Sequence, residues 1–380
     1  MAPDTATQET TYAETRCLYI GIELAMKEWK LAIGSGGTRI LRKKVPARNR
    51  AALLEAVRTG KRKLGLAETA KVRSCCEAGR DGFWVHRLLT ELGIKNVVVD
   101  ASSLKVEQKR RRKKTDRLDA KRLVIDLIRH WRPEEDVWRM ARVPTEQEED
   151  DRRPMRELER LKKEKGQHQT RIRSLLALQG IHCEGTLNPL LARLDQVRSW
   201  NGQLLPSHLK EEIRREAQRL RLALEQMSAI RAELKRRLKE QKTEQVAKVK
   251  KLVRARGIGD DSGWLLVTEM FGWRTFRNRR EVGGSAGLEG SPHNTGQSER
   301  EQGISKGGNR RVRARMIELA WLWIRWQPDS DLTQWFNRRW AKGGARMRRI
   351  GIVGVARRLL IQLWHYVEHD VEPKNAVFSN

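Results

Sequence analysis

Apolar positions in the first hundred residues fall into short runs that alternate with amphipathic stretches. LYIGIEL (Leu18–Leu24) and WKLAI (Trp29–Ile33) are brief apolar runs four residues apart, the spacing of a hairpin. TRILRKKV (Thr38–Val45) alternates apolar with polar, as a half-buried strand does. From Arg50 to Leu64, Leu53, Leu54, Val57 and Leu64 recur at helical spacing. KVRSCC (Lys71–Cys76) reads as a fourth strand ending at Glu77, Phe83–Leu92 as a helix, and NVVVD (Asn96–Asp100) as a fifth strand. A helix through Asp116, Asp119, Leu123 and Leu127 follows.

The expected order is three strands, helix, strand, helix, strand, helix. Three antiparallel strands extended by parallel ones make a mixed α/β sheet, the order of an RNase H- or RuvC-like nuclease core. The acidic stretch Glu146–Asp151, flanked by Pro144 and Pro154, marks a boundary. Beyond it, Arg156–Leu178 and Leu209–Leu252 are rich in Leu, Glu, Arg and Lys. Leu158, Leu161, Ile172, Leu175 and Leu176, then Ile213, Leu220, Leu224, Met227 and Leu234, fall at helical spacing. Two long helices around the loop Gly180–Pro206 read as an antiparallel coiled coil or spacer. The alternative is a helical hairpin packing on its own domain.

The last third carries eight of the thirteen tryptophans among glycine-rich stretches. Core packing is the simplest reading for Trp321 and Trp364. The run Arg254–Met270 resembles a helix-hairpin-helix, with Gly257-Ile258-Gly259 as a tight turn whose amides face a phosphate without reading sequence. A purely structural glycine turn is the plainer alternative. The expected organisation is a disordered tail (1–16), an α/β domain (17–145), a helical linker (146–250) and a mainly helical C-terminal domain (251–380).

Charge narrows the function. Lys and Arg number 79 against 48 Asp and Glu, a net +31, which calls for a polyanionic partner. Lys109, Arg110, Arg111, Arg112, Lys113 and Lys114 form six basic residues in a row, a nucleic-acid patch or a solvated tract. No apolar run approaches the ~18 residues of a membrane span. The start lacks a secretory pattern. Cys17, Cys75, Cys76 and Cys183 form no CxxC pair, so neither a zinc knuckle nor a disulfide scaffold is expected, and a reducing compartment is the default.

Phosphoryl chemistry on two metal ions needs carboxylates converging from different elements. Glu23 ends the first expected strand and Glu77 the fourth. Asp116 and Asp119, three apart, share one helix face. Neighbouring first and fourth strands would let all four meet, although each could equally be an ordinary surface acid.

YIGIELAMKEWKLAI, EAGRDGFWVHRLL, KKTDRLDAKRL and the downstream REVGGSAGLEGSPHNTGQSEREQGISKGGNRRVRARMIELAWLW together resemble the IS-one-ten family of insertion-sequence transposases, nearest to its IS-eleven-eleven branch. The likeness spans about residues 17–370. It implies a RuvC-like domain with four acids (DEDD), a coiled-coil linker, a C-terminal transposase domain with a serine nucleophile, and targeting by a structured noncoding bridge RNA. Matched by position, Glu23, Glu77, Asp116 and Asp119 are the metal-holding acids, for Mg²⁺ or Mn²⁺. The nucleophile position is Thr295, before Gly296. Two departures stand out: Glu23 is one methylene longer than the usual Asp, and Thr295 offers a hindered secondary hydroxyl. Either Thr295 is a slower nucleophile, or this copy is a decayed or DNA-binding element.

Arg300, Lys306, Arg310 and Arg313 follow the loop and suit transition-state charge or plain phosphate binding. The 176 positions from Asp119 to Thr295 suggest a site composed between chains, hence a homo-oligomer, a dimer or a pair of dimers. The implied partners are double-stranded donor and target DNA and a guide RNA, in a bacterial cytoplasm near the nucleoid, with no membrane role. Two rival readings remain: a RuvC-like metal nuclease or resolvase with no covalent step, and an inactive nucleic-acid-binding relative.

Overall fold

The computed structural model describes residues 17–100, 116–131, 137–295 and 298–379, with backbone alone for 116–119, 291–295 and 298–302. It divides into two compact units between Pro144 and Thr145.

The first unit is built on five strands, β1 (Leu18–Glu23), β2 (Glu28–Gly34), β3 (Ile40–Pro46), β4 (Val72–Glu77) and β5 (Lys95–Val99). Their order is β3-β2-β1-β4-β5. β2 lies antiparallel to β1 and β3, while β4 lies parallel to β1 and β5. The sheet is therefore mixed, as the alternation of short apolar runs predicts. Helices α1 (Arg50–Lys63) and α2 (Gly82–Glu91) cover one face. There Leu53, Ala56, Val85 and Leu89 bury against Leu18, Ile20, Ile22, Leu31, Ile33 and Val45. Helix α1 starts where the Asn49 side chain accepts the Ala52 amide at 2.9 Å, satisfying one of the helix's first amides. The other face carries α3 (Asp116–Trp131), whose Leu123 and Leu127 pack on Cys75 and Val99, and whose Ala120, Val124 and Ile128 pack beside Ala32.

The second unit begins with α4 (Glu146–Asp150), closed at its start by reciprocal hydrogen bonds between Thr145 and Glu148. The long helices α5 (Arg153–Ala177) and α7 (Ser207–Glu240) follow. They run antiparallel: Asp151 at the head of α5 pairs with Arg237, while His168 and Arg171 pair with Glu216 and Glu212. The expected loop between them holds a short helix, α6 (Asn188–Ala192), and a 3₁₀ turn (Leu194–Gln196). It also buries Leu187, Leu194 and Leu205 under the helix pair.

Two expectations here need correction. Leu224 lies on the exposed side of α7, and Ala223 takes the inward position. The second long helix also stops at Glu240, because Thr243 accepts the Val246 amide and starts a separate helix, α8 (Glu244–Arg254).

From there the chain runs through α9 (Asp260–Leu266), a π turn (Val267–Phe271), α10 (Arg279–Ser285), the hairpin β6 (Gly290–Thr295) and β7 (Ser298–Ile304), α11 (Arg310–Trp326), α12 (Asp331–Trp340) and α13 (Ala345–His369). Trp264, Trp323, Leu359 and Leu360 are fully buried in the core these helices share. Trp364 is buried, as expected, but Trp321 is 39% exposed: it points away from the α11 face that buries Ala320 and Trp323. Among the described residues, no helix is long and apolar enough to cross a membrane.

Candidate functional site

The register of the sheet decides where the first two acids stand. Ile22 is paired with Cys76 in parallel strands, so Glu23 and Glu77 follow side by side at the carboxyl ends of β1 and β4. Strand alternation puts both on the α3 face, because Gly21 and Cys75, two residues earlier, contact α3. Glu23 is half-buried, with Lys30 opposite it on β2, and Glu77 is exposed.

Helix α3 runs antiparallel to β1. Ile128 lies at Gly34, the partner of Tyr19, whereas Ala120 and Val124 lie at Gly21. One more turn toward the start of the helix advances ~5 Å, about two strand residues, toward the level of Glu23. The backbone at Asp116 and Asp119 therefore sits at the sheet end that carries Glu23 and Glu77. Among the described side chains, no three His, Cys, Asp or Glu residues gather as a metal site. The two described carboxylates offer oxygen donors only, the set a hard divalent cation prefers.

Thr295 is the last residue of β6, paired with Ser298 across the hairpin turn. Arg300 is paired with His293 further down. The base of the hairpin is tied by the Ser305 amide to the Glu289 carbonyl at 2.8 Å. Lys306 and Arg310 are exposed after it. Arg313 is half-buried and donates from one Nη to the Ala286 and Gly307 carbonyls, at 2.9 and 3.0 Å, clamping the two sides of the hairpin base. The basic run Lys109–Lys114 lies outside the described residues. Gly257 and Gly259 do form a turn between α8 and α9. Gly257 has φ +98 and backs onto Trp326, while Gly259 opens to solvent.

The candidate acids belong to the first unit and the hydroxyl hairpin to the second. Against known proteins, the match runs through both. The chain is 37% identical over 377 residues to the candidate transposase y4rJ of Sinorhizobium fredii, covering 95% of this chain and 94% of that protein. Residues 249–334 match the model of the family described as transposase IS116/IS110/IS902. The chain belongs to this transposase family. A second S. fredii relative, the candidate transposase y4qE, is 28% identical over 81% of this chain and 72% of its own length. The transposase for insertion sequence element IS1328 of Yersinia enterocolitica is 30% identical over 35% of this chain and 39% of its own.

Within the family-matched segment lies a group that the sequence reading passed over. Glu269 sits in the π turn at 1% exposure. Arg156 of α5 grips both its oxygens, Nε to Oε1 at 2.6 Å and an Nη to Oε2 at 3.0 Å, and Asn309 donates to Oε2 at 2.9 Å. Burial alone would raise the Glu269 pKa. The hydrogen bonds and charge of Arg156, with Asn309, outweigh it and hold the carboxyl below its usual range.

Asn309 also caps α11 by accepting the Arg311 and Val312 amides, so one side chain joins the helix start to the buried acid. Arg311 pairs with Glu159 at 2.8 Å, and Lys162 with Asp261 at 2.9 Å. Arg156, Glu159 and Lys162, one turn apart on α5, thus fasten the long helix to the segments on either side of the Thr295 hairpin. The only sequence signal for this was an acid inside the apolar run WLLVTEMF.

Proposed function

We propose that this transposase cuts and rejoins DNA strands through two groups. One is an acid cluster on a RuvC-like sheet: Glu23, Glu77, Asp116 and Asp119. The other is the hydroxyl of Thr295 at the tip of the β6–β7 hairpin. The observation that carries the reading is the convergence of Glu23, Glu77 and the α3 backbone at Asp116 and Asp119 on one end of the sheet.

In this scheme the four acids would hold Mg²⁺ or Mn²⁺, and a bound ion would polarise the scissile phosphodiester and stabilise the departing oxygen. Thr295 Oγ1 attacks phosphorus in line and gives up its proton to solvent, which returns one to the departing oxygen. The bond from phosphorus to the 3′ oxygen breaks, and that oxygen leaves protonated. The phosphothreonine formed retains the bond energy needed to reseal the strand to a new 3′ hydroxyl. Arg300, Lys306 and Arg310 are placed in sequence to meet the added negative charge.

A structured guide RNA as the source of target choice, a second copy of the chain to complete the site, and a place at the nucleoid belong to the same proposal. The net charge of +31 supports polyanion partners.

The test is a strand-cleavage assay on DNA carrying the element's ends, with the bound RNA retained. Glu77→Gln and Thr295→Ala are each expected to abolish cleavage. Loss at Glu77 with full activity in Thr295→Ala would instead mark a metal nuclease acting through water.

A further inference from the structure

A groove of about 1040 Å³ opens between the start of α10, helix α12 and the middle of α13. Its walls carry Arg279, Arg280, Arg338, Arg357 and Arg358, with Trp335 among them. None of these arginines makes an ion pair among the described residues, although this unit is rich in acid–base pairs elsewhere. Four of them are exposed, and Arg357 is half-buried where its Nε approaches Gly283. Arg358 lies over the Trp335 ring at 4.3 Å, so guanidinium and indole already form a stack at the groove wall. Two carboxylates, Asp329 and Asp331, also line it, and Asp331 is taken by Asn375 at 2.7 Å.

The sequence placed no function here: these arginines come from three separated segments, Arg279–Arg280, Arg338 and Arg357–Arg358.

We infer that this groove holds a short stretch of single-stranded nucleic acid, its phosphates on the arginines and an unpaired base stacked at Trp335. Several unpaired guanidinium groups along one concavity fit the evenly repeated charge of a phosphodiester backbone, and each can take two oxygens of one phosphate. An aromatic ring inside a basic groove is the combination used by proteins that track single strands, since every base has a face to stack. The groove's volume suits a few nucleotides. The shared chemistry is the unpaired phosphodiester strand, whether RNA or DNA.

The experiment uses the full-length chain with short fluorescent single-stranded oligonucleotides, one ribose and one deoxyribose, over a salt series. The groove variant replaces Arg279, Arg280, Arg338 and Arg358 by Gln. The control replaces the exposed Arg215, Arg221, Lys235 and Lys239 of α7, so both lose the same charge. The groove variant is expected to bind at least tenfold more weakly than the control, with a salt dependence flatter by about 3 in log–log slope, at about 0.7 per phosphate on single strands. In parallel, a 4-thiouridine or 4-thiothymidine oligonucleotide irradiated on the unaltered protein is expected to crosslink within residues 331–358. Tighter binding of one backbone names the strand's source. Equal losses in the two variants, with crosslinks mapping elsewhere, would overturn the assignment.

Discussion

Gly21 and Ala120 meet backbone to backbone: a Cβ built on Gly21 would stand 2.6 Å from the Ala120 carbonyl oxygen and equally close to the Val124 amide nitrogen. No side chain fits there, so the glycine sets how closely α3 lies on β1. That approach carries the start of the helix to the sheet end where Glu23 and Glu77 stand.

Gly21→Ala is accordingly expected to push α3 outward. Overpacking of this kind costs about 1–3 kcal/mol. Strand cleavage should fall more than tenfold, even where the melting temperature drops by only a few degrees. Gly37→Ala is the control: its Cβ meets nothing within 4 Å, and both quantities should stay unchanged. Differential scanning calorimetry alongside the cleavage assay checks both.

Arg156→Met leaves Glu269 buried with the Asn309 amide as its remaining hydrogen-bond donor among the described residues and the weaker charges of Arg311 and Arg152 nearby. Breaking a buried pair by removing one partner costs about 3 kcal/mol. The pH dependence should also reverse in sign. In the unaltered protein the Glu269 pKa is held below its unfolded value, so its contribution is complete above that value and fades as pH falls toward the folded one. Without Arg156, burial dominates and the folded pKa rises above the unfolded one. The variant then loses stability as pH climbs from the unfolded value through the raised one. Denaturant titrations at several pH values read the difference directly. Parallel curves for variant and parent would refute the role given to Arg156.

Gly308 has φ +72, and a Cβ there would overlap the Ser285 carbonyl oxygen. Gly308→Ala should therefore strain the segment between β7 and α11 by about 1–3 kcal/mol and displace Asn309 from Glu269. Faster hydrogen exchange at the first amides of α11, Arg311 and Val312, is the expected result.

Much of the first unit was legible from the chain. All five strands and three helices lie within two or three residues of where the apolar patterning puts them, because each strand buries at least one face and the alternation records it. The second long helix ends earlier than its pattern implies, since Leu234, Leu238, Val246 and Val249 keep helical spacing across Gln241–Thr243 while a local threonine cap breaks the backbone. Helical spacing names a stripe but not its width, so Leu224 falls outside the buried face, and the size of a tryptophan favours burial without fixing which side of the helix it takes, as at Trp321.

Of the candidate site, placement was legible only in part. Glu23 and Glu77 carry their position in strand endings, but the bond of Arg156 to Glu269 spans 113 positions. The Trp335 groove gathers residues from three segments. No local pattern encodes either one.

Thr295→Ser separates chemistry from architecture. On the proposed mechanism, a primary hydroxyl lacks the methyl that would crowd the attack, so strand cleavage is expected to rise by several-fold without a change in DNA affinity. Unchanged or lower rates would argue that the threonine methyl is itself positioned for function.

The most direct test of the account is to trap the protein–DNA adduct. Reaction with DNA bearing the element's ends, in Mg²⁺ and with bound RNA, would be quenched in denaturant, digested and analysed by mass spectrometry. A nucleotide phosphate on Thr295, absent from Thr295→Ala and from Glu77→Gln, is the predicted result. Cleaved DNA with no adduct on any hydroxyl would contradict it.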